Sequence, residues 1–191
     1  MKKSLGSKPF AVPTPVWAVG AYDVNGKPNA MIAAWGGIVC SQPPSMGVSL
    51  RENRHTYEGI LKHEAFTISV ADEAHAAQAD YLGIDSGKEI DKFAATGLTP
   101  VKSEVVDAPY IEEFPLIVEC RLTQAVNVGV HIQLIGEIVD VKVDEDKLKK
   151  DKFPDIELIR PLIFTPGSQE YHGIGQLVGK AFSMGLEYRK K

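Results

Sequence analysis

Residues 115–144 read PLIVECRLTQAVNVGVHIQLIGEIVDVKVD, the strongest β signal in the chain. Leu116-Ile117-Val118-Glu119-Cys120-Arg121-Leu122 partly alternates apolar with polar residues, as a strand with one face on a core does. Ile132, Leu134, Ile138, Val139, Val141 and Val143 mark a second long run, and Gly129 lies near the bend between the two. Long β-rich runs joined by a short bend suit an antiparallel sheet that curls into a barrel.

Toward the N-terminus the same grammar continues. Val16 to Tyr22 reads as a strand, and Asp23-Val24-Asn25-Gly26 supplies an Asn-Gly turn signal. Asn29 to Cys40 is a second apolar run, closed by Pro43-Pro44 because proline cannot donate to a ladder. Met46 to Leu50 reads as a third strand, so these segments form a hairpin and a neighbouring strand. The period changes after Arg51. His55 to His63 carries Tyr57, Ile60 and Leu61 at helical spacing, with Glu58 near the start and Thr56 as the expected N-cap. Ala65 to Val70 returns to strand. Glu73 to Leu82 is alanine-rich and helix-prone, and Asp91 to Ala95 makes one more helical turn ended by Gly97. Beyond the long β runs, Asp144 to Asp155 is a charged loop or short helix, and Pro161 to Phe164 is the expected last strand.

Helices do not alternate regularly with strands, which argues against a doubly wound sheet. No repeat and no linker divides the chain. The expectation is one domain spanning residues 1–191, mainly β, with a few peripheral helices.

Composition narrows the partners. The net charge is -4 and the two signs are interspersed, so no basic footprint for nucleic acid is present. Arg189, Lys190 and Lys191 read as a solvated tail. No apolar run approaches the roughly 20 residues of a membrane helix, and Lys2 and Lys3 precede no apolar signal core. A cytoplasmic location follows as an expectation. Cys40 and Cys120 form neither a Cys-x-x-Cys pair nor a metal-like cluster, and both read as small buried hydrophobes.

Two stretches can carry chemistry. Ser49-Leu50-Arg51-Glu52-Asn53-Arg54-His55-Thr56 gathers hydrogen-bond donors where a strand end leads into a helix, whose free N–H groups favour an anion. Arg51 or Arg54 can grip a phosphate bidentately, with Ser49 and Thr56 on its other oxygens. A capped surface helix with solvated arginines explains the same residues. Asn29 to Trp35 reads on pattern alone as a buried strand. Met31 and Trp35 can equally floor a flat ring, Asn29 can reach its polar edge, and Ala33-Ala34 and Gly36-Gly37 allow close approach. Lys92 and His131 are isolated titratable residues in apolar surroundings. Gly173-Ile174-Gly175-Gln176-Leu177-Val178-Gly179 lies too late to open a strand-helix-strand unit and reads as turn and packing glycines.

Read as an ordered set, several short words resemble the flavin reductase-like FMN-binding split-barrel family over nearly the whole chain. They are Asn29-Ala30-Met31-Ile32-Ala33-Ala34-Trp35, Pro43-Pro44, Val48-Ser49-Leu50-Arg51, Arg54-His55-Thr56-Tyr57, Phe66-Thr67-Ile68-Ser69-Val70, Asp91-Lys92-Phe93 and Gly136-Glu137-Ile138. The resemblance implies a Greek-key split β-barrel that forms a homodimer, with FMN near the subunit interface. It implies that Asn29, Trp35, Thr56, Lys92 and His131 contact FMN, and that Ser49, Arg51 and His55 lie on the phosphate side. Phe164 would flank the ring, while Met31 and Phe93 match motif positions that also suit packing. An FMN electron carrier serving a redox partner protein is the first function this implies. A reductase of free flavin or ferric complexes taking electrons from NAD(P)H, with His131 positioning the nicotinamide, is the alternative. A dimeric module with a vestigial site is the third.

Overall fold

A computed structural model describes residues 1–189. The strands are β1 (Thr14–Pro15), β2 (Trp17–Tyr22), β3 (Pro28–Ala33), β4 (Gly36–Ser41), β5 (Pro44–Leu50), β6 (Ala65–Val70), β7 (Pro100–Lys102), β8 (Pro109–Ile111), β9 (Leu116–Asn127), β10 (Ile132–Val143), β11 (Ile163–Thr165) and β12 (Glu170–His172). Among the described residues four short α-helices accompany them: α1 (His55–His63), α2 (Ala76–Ile84), α3 (Lys92–Thr96) and α4 (Ile156–Ile159).

The main sheet has seven antiparallel strands in the order β3-β2-β6-β9-β10-β5-β4. Its opposite edges, β3 and β4, are separated in the chain only by Ala34 and Trp35. So short a link reaches about 11 Å at most, so the sheet must curl until its edges meet. The Ser49 amide donates to the Trp35 carbonyl at 2.8 Å across that junction. The run Asn29 to Cys40, expected as one strand, is therefore two strands broken at the seam. Met46 to Leu50 pairs with β4 and β10 rather than with the first hairpin.

The curled wall is apolar on both faces. Along β2 and β6, Val19, Ala21, Phe66 and Ile68 enter the barrel interior with Val48, Leu50, Val118 and Leu134. Between them Ala18 faces outward, into a second core with Ala30, Leu82, Phe93, Ile111 and Leu162. The period of two explains the division, because alternate side chains leave a strand on opposite faces. Outward-facing Thr67 and Ser69 tie β8 to the wall: Thr67 Oγ1 donates to the Pro109 carbonyl at 2.6 Å, and Ser69 Oγ accepts from the Ile111 amide at 3.1 Å. The β1-β11-β12 sheet sits against the same outer core through Phe164 and Tyr171.

Helix α1 lies so close to β2 that a Cβ on Gly59 would collide with the Tyr22 carbonyl. The N-cap position of α1 belongs to Arg54, which makes no side-chain cap bond. Thr56, expected there, lies inside the helix and is buried, because its hydroxyl is engaged by β3. Helix α3 matches its sequence signals, with Asp91 accepting from the Ala94 amide and Gly97 left-handed at the end.

Other expectations need correction. Pro161 to Phe164 does not hold the last strand, since β12 follows it across a short turn. Cys120 is buried, but Cys40 is exposed because β4 is an edge strand. A Cβ added to Gly175 would meet nothing within 4 Å, so close packing does not require a glycine there. Lys190 and Lys191 of the expected tail lie outside the described residues. Among the described residues no helix is long and apolar enough to cross a membrane.

Candidate functional site

Two clefts open at the seam where β3, β5 and α1 converge. The larger has a volume of about 840 Å³, the smaller about 180 Å³. Met31, Ile32, Arg54 and Gly83 line both, so the two form one continuous recess. Met31, Trp35, Ser49, Arg51, His131 and Phe164 line the larger cleft, and Asn29, Met31, His55, Thr56 and Lys92 line the smaller. Segments up to 135 residues apart in the chain thus meet in one place, because barrel closure brings β3, β5, the β9–β10 turn and β11 around the seam.

The larger cleft mixes apolar and aromatic groups, Met31, Ile32, Trp35, Phe164 and Tyr171, with the polar Ser49, Arg51, Arg54 and His131. Phe164 and Tyr171, on adjacent strands of the small sheet, stand with ring centroids 5.7 Å apart. The Tyr171 hydroxyl donates to Asp80 at 2.9 Å and ties that sheet to α2. Burial first, and the Asp80 carboxylate second, push the Tyr171 phenol up to about 12, so it stays neutral.

Polar groups dominate the smaller cleft. Asn29 Nδ2 donates to Thr56 Oγ1 at 2.8 Å, joining β3 to α1 through two buried side chains. Lys92 is buried, contrary to the usual solvated lysine. Its Nζ donates to the carbonyls of Leu82 at 2.7 Å and Ala30 at 3.0 Å. This ammonium staples α2 and α3 to β3. Burial, and then the Arg54 charge, push it down to about 8. Gly87 closes one wall, and a Cβ there would collide with Asn29 Oδ1 and crowd His55.

His55 Nε2 lies 3.4 Å from Asp23 Oδ2, while His55 Nδ1 is shielded from solvent with no partner among the described residues. Asp23 Oδ1 accepts from the amides of Asn25 at 2.7 Å and Lys27 at 2.9 Å. Burial alone would raise the Asp23 carboxyl, but those two amides and the His55 ring outweigh it and hold it below the ordinary range. Arg51 and Arg54 are exposed at the rim, and among the described residues neither side chain forms an ion pair.

Arg54, which sequence offered beside Arg51 as a phosphate ligand, completes this recess with Tyr171 and Gly87, and Asp23 stands behind it against His55; sequence pointed to none of these last three. Arg54 carried a usable signal, being as good a phosphate ligand as Arg51 at the helix start. The others had none, since only folding brings them near.

A curled barrel with an aromatic-walled cleft opening onto a cationic, donor-rich pocket defines a site for a flat ring bearing an anionic tail. Residues 10–173 match the family model described as flavin reductase like domain. The fold superposes on the flavoredoxin of Desulfovibrio vulgaris (Miyazaki F) with a TM-score of 0.93 and 53% identity, covering 97% of this chain and 100% of that one. For the flavoredoxin from Methanosarcina acetivorans the TM-score is 0.91 and the identity 29%, over 98% and 99% of the two chains. A high molecular weight rubredoxin of Moorella thermoacetica is 36% identical over 107 residues, 55% of this chain and 45% of that protein. The chain belongs to the flavin reductase-like family, and its sequence and fold are flavoredoxin-like.

Proposed function

We propose that this protein binds FMN and acts as a flavoredoxin-like electron carrier. The observation that carries this reading is the continuity of the two clefts: an aromatic-walled slot for a tricyclic ring runs into a pocket holding Arg54, His55 and Thr56 at the start of α1. The residues fit the cofactor. The partnerless His55 Nδ1 and the unpaired guanidiniums of Arg51 and Arg54 match a phosphate in number and sign. Bound FMN would supply one- or two-electron transfer.

The chain's own residues would bind, orient and shield. Trp35, Met31 and Phe164 would wall the ring, with His131 at its edge. Asn29, held by Thr56, would fix the polar side of the ligand, and Ser49 and Arg51 would reach its phosphate side. Lys92 would act chiefly by building the wall, because two of its three protons are committed to carbonyls.

We read the chain as one domain and as a homodimer with the ligand near the subunit interface. Support comes from exposed Ile38 and Val39 on the edge strand and exposed Val126, Val128 and Val130 at the β9–β10 end, where Val128 also lines the larger cleft. Free Cys40 and Cys120 suit a reducing, cytoplasmic location. Direct use of NAD(P)H is the second reading. It is favoured by the larger cleft's volume, near the top of the range for a single small ligand.

The visible spectrum of desalted protein under anaerobic conditions tests both readings. A carrier shows a flavin band that persists with NADH or NADPH and bleaches with dithionite. Rapid bleaching by either nicotinamide makes the protein a reductase instead. A colourless protein that takes up no added FMN refutes the proposal.

A further inference from the structure

Asp23 sits in the β2–β3 turn, outside the walls of both clefts, yet it faces a residue that lines the smaller one. Its two carboxylate oxygens do different things. Oδ1 is held by the amides of Asn25 and Lys27, which fix the side chain within the turn. Oδ2 is left facing His55 Nε2 at 3.4 Å, with the carboxylate only 10% and the imidazole only 13% exposed.

An imidazole offers two nitrogens, and a carboxylate beside one of them favours a proton there. Nε2 is thereby assigned as a donor toward Asp23. Nδ1 remains, buried and without a partner among the described residues, and a polar atom left so is destabilising. An anionic oxygen at the wall of the smaller cleft is the partner the ring lacks. Accepting it requires a proton on Nδ1 as well, and the ring then carries a positive charge that the Asp23 carboxylate balances. Arg54 and Lys92 line the same cleft as cations and Asp85 as an acid, so a compensating negative charge behind His55 matters there.

We propose that Asp23 is a positioning residue for the phosphate of the bound ligand, acting through His55 by holding its ring and balancing its charge. This rests on the FMN reading above and deepens it. A residue that only caps the turn would affect every ligand of the recess equally. One that acts on the phosphate separates FMN from riboflavin, which has the same ring and ribityl chain but no phosphate.

The experiment titrates both flavins into the full-length chain, freed of endogenous flavin, by fluorescence quenching. Asp23→Asn keeps an oxygen for the two turn amides, removes the charge and replaces the acceptor facing His55 Nε2 with a donor. It should weaken FMN by about ten- to hundredfold and leave riboflavin within about twofold of the unaltered chain. His55→Gln should lose FMN to a similar degree, and the double variant should lose no more than His55→Gln alone. Equal losses for FMN and riboflavin, or additive losses in the double variant, overturn the inference while leaving FMN binding intact. An unaltered chain that binds neither flavin overturns the FMN reading itself. A second measurement needs no substitution: in the ¹⁵N spectrum, His55 Nδ1 should move toward a protonated, hydrogen-bonded value on adding FMN but not riboflavin. An Nδ1 signal indifferent to both overturns the assignment even if Asp23→Asn does not fold.

Discussion

Replacing Thr56 by valine removes one oxygen and little volume. That oxygen is the acceptor for Asn29 Nδ2 at 2.8 Å, and Asn29 and Thr56 are only 6% and 2% exposed. With valine in place the Asn29 amide loses its acceptor in a site from which water is largely shut out. Leaving a buried donor unsatisfied costs about 1–3 kcal/mol, more than the net worth of an ordinary hydrogen bond. At about 2–4 °C per kcal/mol for a chain of this size, the flavin-free protein should melt several degrees lower. Asn29 and Thr56 belong to different elements, β3 and α1, so the loss also loosens the junction that shapes the smaller cleft. FMN affinity should therefore fall together with stability. Urea unfolding of the unaltered chain, Thr56→Val, Asn29→Ala and the double variant gives the coupling directly, and about 1 kcal/mol or more is expected. A Thr56→Val protein within about 0.5 kcal/mol of the unaltered chain, with no measurable coupling to Asn29, would show that this bond does not organise the site.

Three further outcomes follow from the same geometry. Gly87→Ala drives a methyl group into Asn29 Oδ1 and against His55, so it should lower stability by about 1–3 kcal/mol and weaken flavin binding, read by melting and titration. Lys142 pairs with fully buried Glu119 and, at 2.8 Å, with Asp140. Lys142→Met leaves the Glu119 carboxylate uncompensated, and urea unfolding at neutral pH should show a loss of about 3–5 kcal/mol. The Lys92 ammonium, pushed down to about 8, is a cation below that pH and a neutral amine above it. FMN affinity should accordingly fall as pH rises through about 8, and in Lys92→Met that step should vanish from the binding profile while affinity at pH 7 drops.

Local order was legible in the sequence where neighbouring residues alone decide it. The run of β-forming residues from Ile132 to Val143 gave the bounds of β10, helical spacing gave α1 as His55–His63, and the turn expected from Asp91 to Ala95 and ended by Gly97 is α3, one residue later at each end. The candidate site residues were also legible, as words in a fixed order, and they line one recess. What sequence could not supply was any fact that depends on which strands meet. Asn29 to Cys40 is apolar throughout, and nothing local marks Ala34 and Trp35 as the place where one edge of the sheet passes into the other. Thr56 has the chemistry of an N-cap and became a buried acceptor because β3 brings Asn29 to it. Lys92 would be solvated in an isolated helix; tertiary packing instead gives it two carbonyls, from β3 and α2, and takes its water away. Asp23 reads as an ordinary turn residue until α1 sets His55 beside it. The sequence by itself determined the elements and the chemical inventory, because propensity, period and capping act over a few residues. Only the closed barrel decided how that inventory meets, because burial, charge pairing and cleft shape arise from contacts between strands and helices far apart in the chain.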